Sequence, residues 1–318
     1  MILTVTMNPS IDMAYSIEDL KENTVNRVSE VRKTAGGKGL NVSRVIKMMG
    51  RRIVATGALG GNFGAFIEEQ LDKEKINHAF IHIKQETRNS IAILHDGGKQ
   101  TEILEAGPVL TAQDVFRFLE NYKELLSEAD VVTISGSLPQ GIESDFYAKL
   151  SSLAKQKKIK VMLDSSGESL KQTLLNKDKP YLIKPNQEEI SELLNIKLNG
   201  KENSEILIKY MSNKIFQDVA WIVVSLGAAG AIAKHNNSFY RVKIPKIHVE
   251  NPVGSGDATL AGLAIAISEG KDDEETLKTA MTLGMLNTME KQTGCVNKKL
   301  FSKYFGKISV TKLEVVNF

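Results

Sequence analysis

Short β-rich runs separated by amphipathic stretches recur along most of the chain, and that alternation admits few architectures. Val131-Val132-Thr133-Ile134, Lys160-Val161-Met162-Leu163-Asp164, Tyr181-Leu182-Ile183 and Trp221-Ile222-Val223-Val224 are nearly continuous apolar runs, as expected of parallel strands covered on both faces. Between such runs, Val115, Phe118, Leu119, Tyr122, Leu125 and Leu126 recur at three- and four-residue steps and give one apolar helix face. Thr111, with Asp114 three residues on, is placed to cap that helix. Further helices are predicted over about 143–156 and 188–194. The class is therefore α/β, with a mostly parallel sheet and helical crossovers.

Residues 8–34 and 86–105 break this rhythm, alternating apolar and polar side chains with no helix between. Ile91-Ala92-Ile93-Leu94 and Thr101-Glu102-Ile103-Leu104 flank the turn His95-Asp96-Gly97-Gly98. These segments predict antiparallel strands of a separate small sheet, inserted into the α/β body as a natural lid. No proline- or serine-rich linker divides residues 1–318, so the whole chain is expected to form one domain.

Composition removes several classes of function. With 41 Lys+Arg against 38 Asp+Glu, the net charge of +3 predicts neither a nucleic acid nor a membrane surface as partner. Cys295 is the single cysteine, so neither an intrachain disulfide nor a cysteine-only zinc site can form, which fits a reducing cytoplasm. The apolar start, 1–7, lacks a basic flank and meets Asn8-Pro9, so it does not read as a secretory signal. No apolar run approaches the roughly 18 residues needed to span a bilayer. The five histidines show no metal-ligand spacing, and 155–160 reads as a solvated helix end.

Two glycine-rich segments carry the chemistry. In Asn251-Pro252-Val253-Gly254-Ser255-Gly256-Asp257, two glycines flank a serine and a carboxylate opens an apolar helical run. Glycines let successive N–H groups converge, and a helix N-terminus adds partial positive charge, an arrangement suited to an anion. An Asp in that first turn can accept a proton from an attacking hydroxyl, although by itself the segment is equally a plain helix start with its dipole complemented. The second segment, Ala35-Gly36-Gly37-Lys38-Gly39-Leu40-Asn41, also precedes a helix. It is not a Walker A loop, since Gly39 follows Lys38, and no G-x-G-x-x-G occurs.

Together these segments resemble the two signature regions of the ribokinase/PfkB carbohydrate kinase family, and the intervening chain matches in the same order from Asn8 to about Gly294. Asn186-Gln187-Glu188-Glu189 after Lys184-Pro185 resembles its magnesium-linked Asn-x-x-Glu motif, and Ser225-Leu226-Gly227-Ala228-Ala229-Gly230 its nucleotide-phosphate loop. The opening Thr4-Val5-Thr6-Met7-Asn8-Pro9-Ser10-Ile11-Asp12, with Val25-Asn26-Arg27-Val28 and Thr87-Arg88-Asn89, is similar to the branch acting on sugar monophosphates. At Leu104 the chain departs from fructose-1-phosphate kinases, which usually carry Asn there.

The resemblance implies a ribokinase-like three-layer α/β/α Rossmann-like domain with a small antiparallel β-sheet lid. It implies ATP and a ketohexose phosphate as substrates and Mg2+ as cofactor. The exposed edges of the small sheet invite pairing with another copy, which predicts a homodimer through that sheet. Asp257 would be the catalytic base, and Gly254, Ser255 and Gly256 an anion hole. Asp12 would bind sugar hydroxyls, and Gly37, Lys38 and Asn41 the sugar phosphate ester or its hydroxyls. Arg88 would clasp phosphate bidentately. Lys184 and Asn186 would face the nucleotide phosphates, with Glu189 reaching magnesium through water. Ser225 and Gly227 would touch nucleotide phosphates. Asn287, on a helix predicted over 279–290, would line the adenine pocket or stand on a solvated face.

Overall fold

The structure, a computed structural model, describes residues 1–97, 99–197 and 204–314. Gly98 of the predicted turn lies outside the described residues. The apolar runs assemble into one sheet, in the order Ser309–Leu313, Ser238–Lys243, Ala231–His235, Trp221–Ser225, Leu182–Ile183, Lys160–Asp164, Val131–Ser135, Ile2–Thr6, Ile53–Gly60 and Asn77–His78, with Ile81–Ile83 also pairing Ile53–Gly60. Pairing is parallel from Trp221–Ser225 through to Asn77–His78 and antiparallel in the three strands beyond Trp221–Ser225.

Each central strand serves two cores, because side chains alternate across the pleat. Ile2, Val131, Met162, Leu182 and Val223 join one core with Leu40, Leu260 and Leu286. Leu3, Val132, Leu163, Ile183 and Val224 join the other with Phe118, Tyr147 and Ile190. Helices therefore cover both faces, as the ungapped apolar runs require. Thr111 and Asp114 form the predicted capping box at the start of helix Ala112–Leu125. Trp221 is buried and stacks on His235 at 4.2 Å, a packing role.

Helix Ser255–Ser268 is buried along nearly its whole length, and helices Lys38–Met48 and Asp273–Thr288 pack against it. Gly262 makes the second contact possible, since a Cβ there would press on the Ala280 backbone. Strand Val131–Ser135 also touches the helix that carries Asp257, which is thus fixed from three sides.

Val31–Gly36, Ser10–Ser16, Arg88–His95 and Lys99–Leu104 form the separate four-stranded sheet, in that order. The two outer pairings are antiparallel as predicted. The central pairing, Ser10–Ser16 with Arg88–His95, is parallel. The sheet is therefore mixed rather than wholly antiparallel, because its two halves come from distant segments that the main body brings side by side. Lys99–Leu104 is exposed throughout.

Candidate active site

Asp257 lies in the first turn of helix Ser255–Ser268, entered through Gly254 in the left-handed conformation (φ 81°). That backbone favours glycine, and a Cβ at Gly254 would also press on Thr293. The N–H of Ser255 donates to the Pro252 carbonyl at 3.4 Å. The N–H groups of Gly256 and Asp257 follow in the first turn, where a helix offers no acceptor of its own.

Asp257 is 6% exposed, and burial together with the nearby Asp164 charge pushes its carboxyl up to about 7, against the lowering influence of Asn41, Lys38 and Lys184. Asn41 Nδ2 donates to Asp257 Oδ2 at 2.8 Å across 216 positions of sequence. A carboxyl titrating near neutrality is suited to general-base work.

Asp164, which ends a central strand, was not singled out from the sequence. Both its oxygens are engaged: Lys184 Nζ lies 3.2 Å from Oδ2 and Lys38 Nζ 3.6 Å from Oδ1. Burial alone would raise the Asp164 carboxyl, yet the two ammonium groups hold it below the usual carboxylate range. Asp164 in turn pushes the Lys38 ammonium up. Lys38 and Lys184 therefore converge on one carboxylate, with Asp257 close by. A carboxylate at the carboxyl end of a buried parallel strand was the available signal, since ligands bind there in open α/β sheets.

Asn186 and Glu189 form a reciprocal capping box at 2.8 Å for each bond, which starts helix Gln187–Leu194. Their three-residue spacing favours Glu189 over Glu188. Asn186 also bridges to Ser225, so the Lys184–Asn186 segment and the Ser225–Gly227 turn adjoin. Gly227 takes φ 54° with open space where a side chain would stand.

On the small sheet, Asp12 accepts from Ser10 Oγ at 2.7 Å and from the Gly37 amide, while burial pushes its carboxyl up against the pull of Arg44 and Arg88. Its carboxylate lies over Gly36, where any Cβ would overlap it. Asp12 and Asn41 line a cavity of about 820 Å³ between the small sheet and the main body, with Ser90, Arg44, Val253 and Cys295 also in its wall. Cys295 thus shares this wall with Asp12 and Asn41. Arg88 donates to the carbonyls of Asn8 and Glu105 at 3.2 and 3.1 Å, which fixes its guanidinium near Asp12.

Asn287 is placed differently from its expectation as an adenine-pocket residue. It has no exposed surface. Its Nδ2 donates to the Val253 carbonyl at 2.8 Å, and its Oδ1 accepts from the Gly294 amide at 2.9 Å. It fastens the two loops that flank Asp257 and has no face left for a base. Its position on a helix next to a glycine-rich loop carried no sign of this use.

Arg44 was also missed. It is 8% exposed, bonds Glu74 through Nε at 3.0 Å to each oxygen, donates from Nη1 to Asn41 Oδ1 at 2.9 Å and bonds the Ala35 carbonyl. An arginine among the apolar residues Val42, Val45 and Ile46 was its only signal. Among the described residues, no three acidic, histidine or cysteine side chains are grouped to hold a metal ion, and no helix is long and apolar enough to cross a membrane.

Residues 5–299 match the pfkB family carbohydrate kinase domain. Proteins called tagatose-6-phosphate kinase in two strains of Staphylococcus epidermidis are 49% and 50% identical over 313 residues, covering 98% of this chain and all of theirs. The crystal structure of Escherichia coli phosphofructokinase-2 in complex with fructose-6-phosphate superposes with a TM-score of 0.85 at 27% identity, covering 96% of this chain and 98% of that one. Extent and order of the match leave one assignment: the chain belongs to the pfkB family of carbohydrate kinases.

Proposed function

We propose that the protein transfers the γ-phosphoryl group of ATP to the C1 hydroxyl of tagatose 6-phosphate, giving tagatose 1,6-bisphosphate and ADP in lactose and galactose catabolism. The observation that carries the chemistry is the buried Asp257 carboxylate, set between a cavity holding Asp12 and the paired ammonium groups of Lys38 and Lys184. The sugar follows from the name of the Staphylococcus relatives.

Asp257 takes the proton as the C1 oxygen attacks phosphorus, and the bond from phosphorus to the ADP oxygen breaks. Lys38, Lys184 and the amides at Gly254, Ser255 and Gly256 neutralise charge on the phosphoryl group in transit. Asp12 accepts hydrogen bonds from two sugar hydroxyls, and Arg88 meets the 6-phosphate. Asn186, Ser225 and Gly227 lie against the nucleotide phosphates. The small sheet acts as a lid, excluding water and so suppressing ATP hydrolysis.

Glu189 suits a magnesium ion that arrives with the nucleotide. Its Oε2 accepts from the Asn186 N–H, which orients the carboxylate, and Mg2+ commonly uses one or two carboxylates plus waters and substrate phosphates. When bound, that ion neutralises phosphate charge. We place the enzyme in the cytoplasm, where ATP and phosphorylated sugars occur. We also propose a homodimer through the small sheet, because Val31, Ile103 and Leu104 are 45%, 54% and 59% exposed there and an uncovered strand edge invites pairing.

The opening motif shared with fructose-1-phosphate kinases favours a second reading, phosphorylation of fructose 1-phosphate. A coupled ATP assay with tagatose 6-phosphate, fructose 6-phosphate and fructose 1-phosphate decides between them. A preference for tagatose 6-phosphate is expected. Equal rates on all three would defeat the specificity, and no turnover on any would leave a sugar-phosphate sensor.

A further inference from the structure

We propose that Arg44 is a positioning residue for phosphoryl transfer, holding the carbonyl end of the Asn41 amide so that the amino end must donate to Asp257. The inference rests on the reading of Asp257 as the base. It begins from a side chain whose placement the reaction so far leaves unexplained: a nearly buried arginine in the cavity wall that bonds Asn41, the neighbour of Asp257.

An asparagine amide has a donor end and an acceptor end of nearly equal size, and nothing intrinsic decides which one faces a neighbour. A guanidinium has donors only. With Arg44 Nη1 2.9 Å from Asn41 Oδ1, the acceptor end is committed. The Nδ2 group is then left to meet Asp257 Oδ2 at 2.8 Å. The reversed amide would set hydrogens against the guanidinium and oxygen against the carboxylate, two repulsive contacts in a buried place.

Arg44 cannot easily turn away. Its Nε is held by both oxygens of Glu74 at 3.0 Å and its Nη2 by the Ala35 carbonyl. Helical geometry supplies the rest, since residues three apart share a face, and Arg44 follows Asn41 by three on helix Lys38–Met48. Gly294 closes the other side, because a Cβ there would stand 3.0 Å from Asn41 Oδ1.

The consequence falls on the base. Its Oδ2 is occupied, so Oδ1 is the oxygen presented to the sugar hydroxyl. The same bond favours the carboxylate form over the protonated one. Other charges facing Asp257 pull in both directions: Asp164 from the central strand disfavours ionisation, and Lys38 and Lys184 favour it. From the packed helix Asp273–Thr288, the nearby Asn287 is neutral.

The test is the pH profile of kcat/KM for tagatose 6-phosphate in the intact enzyme. Arg44→Met should move the acid limb to higher pH by about 1–2 units, with the rate recovering on the alkaline side. Asn41→Ala should move it the same way, and Arg44→Met added to Asn41→Ala should move it no further. A uniform fall in rate with an unmoved limb, or displacements that add, would overturn the proposal. Arg44→Lys keeps a cation beside Glu74 without the fork, so it reads out the same limb if the methionine variant does not fold. An unmoved limb in Arg44→Lys is then equally fatal. Asp257→Asn separates the two ideas. Turnover retained there withdraws the base itself, whereas turnover lost there with an unmoved Arg44 limb withdraws only the positioning role.

Discussion

The main sheet and the small sheet meet at one site but obey different constraints. Val132, Leu163 and Val224 in the main sheet are at most 1% exposed, whereas Ile103 and Leu104 in the small sheet are more than half exposed. The proposed reacting groups, Asp257 with Asp164 and Lys184, hang from the close-packed body. The proposed sugar ligands Asp12 and Arg88 hang from the thin sheet. Geometry that has to be held within fractions of an ångström belongs on rigid packing, and a surface that must admit substrate belongs where opening is cheap.

That contrast can be broken most directly at Asp257. Asp257→Asn should lower kcat by about two to four orders of magnitude with little change in the KM for sugar; near-normal turnover would remove the base from the body. Next in size, Leu163→Ala should cost about 2–5 kcal/mol in denaturant unfolding, from lost burial and a cavity. Leu104→Ala should stay within about 0.5 kcal/mol, and a comparable loss at both positions would erase the distinction between the sheets. Arg88→Ala should raise the KM for phosphorylated sugar about 10- to 100-fold while sparing kcat. An unchanged KM would take Arg88 out of the phosphate site.

The subtlest expectation concerns pH. Asp257 is raised from 3.8 to about 7, so the base is ionised only above that value and kcat/KM should climb through it. Stability runs the other way: between 3.8 and about 7 the folded state holds a proton that the unfolded chain has released, so folding weakens as pH rises through this window. Asp257→Asn lacks that loss. The gap between its melting temperature and the parent's should widen across the window, and a constant gap would contradict the raised carboxyl.

Much of the body was legible in the sequence because a doubly covered parallel strand has to be apolar on both faces. The runs at 131, 160 and 221 became strands Val131–Ser135, Lys160–Asp164 and Trp221–Ser225 with almost those boundaries. The small sheet was legible as strands but not in its central pairing, since parallel partners separated by a long segment leave no turn signature. Glycine clusters announced Gly37 and Gly254, where the backbone takes φ of 110° and 81°. Asp164 and Arg44 gave only faint signals, a carboxylate closing an apolar strand and an arginine in an apolar stretch, because each acts through a partner distant in sequence: Asp164 through Lys184 and Lys38, Arg44 through Glu74 and, by way of Asn41, Asp257. Asn287 misled for a related reason, as its partners lie on two loops that approach only after folding.

The bond between Asn41 and Asp257 joins positions 216 residues apart, and it bears on how the protein is made. Strand Ile2–Thr6 is made before the other described strands yet lies inside the sheet, flanked by Ile53–Gly60 and Val131–Ser135. The helix that carries the base is translated among the last elements. With Asp257 as the proposed base, a chain cut short of Ser255–Ser268 would carry Lys38 and Lys184 without the carboxylate that Asn41 holds. The proposed chemistry would then be the last property such a chain acquires as it is made.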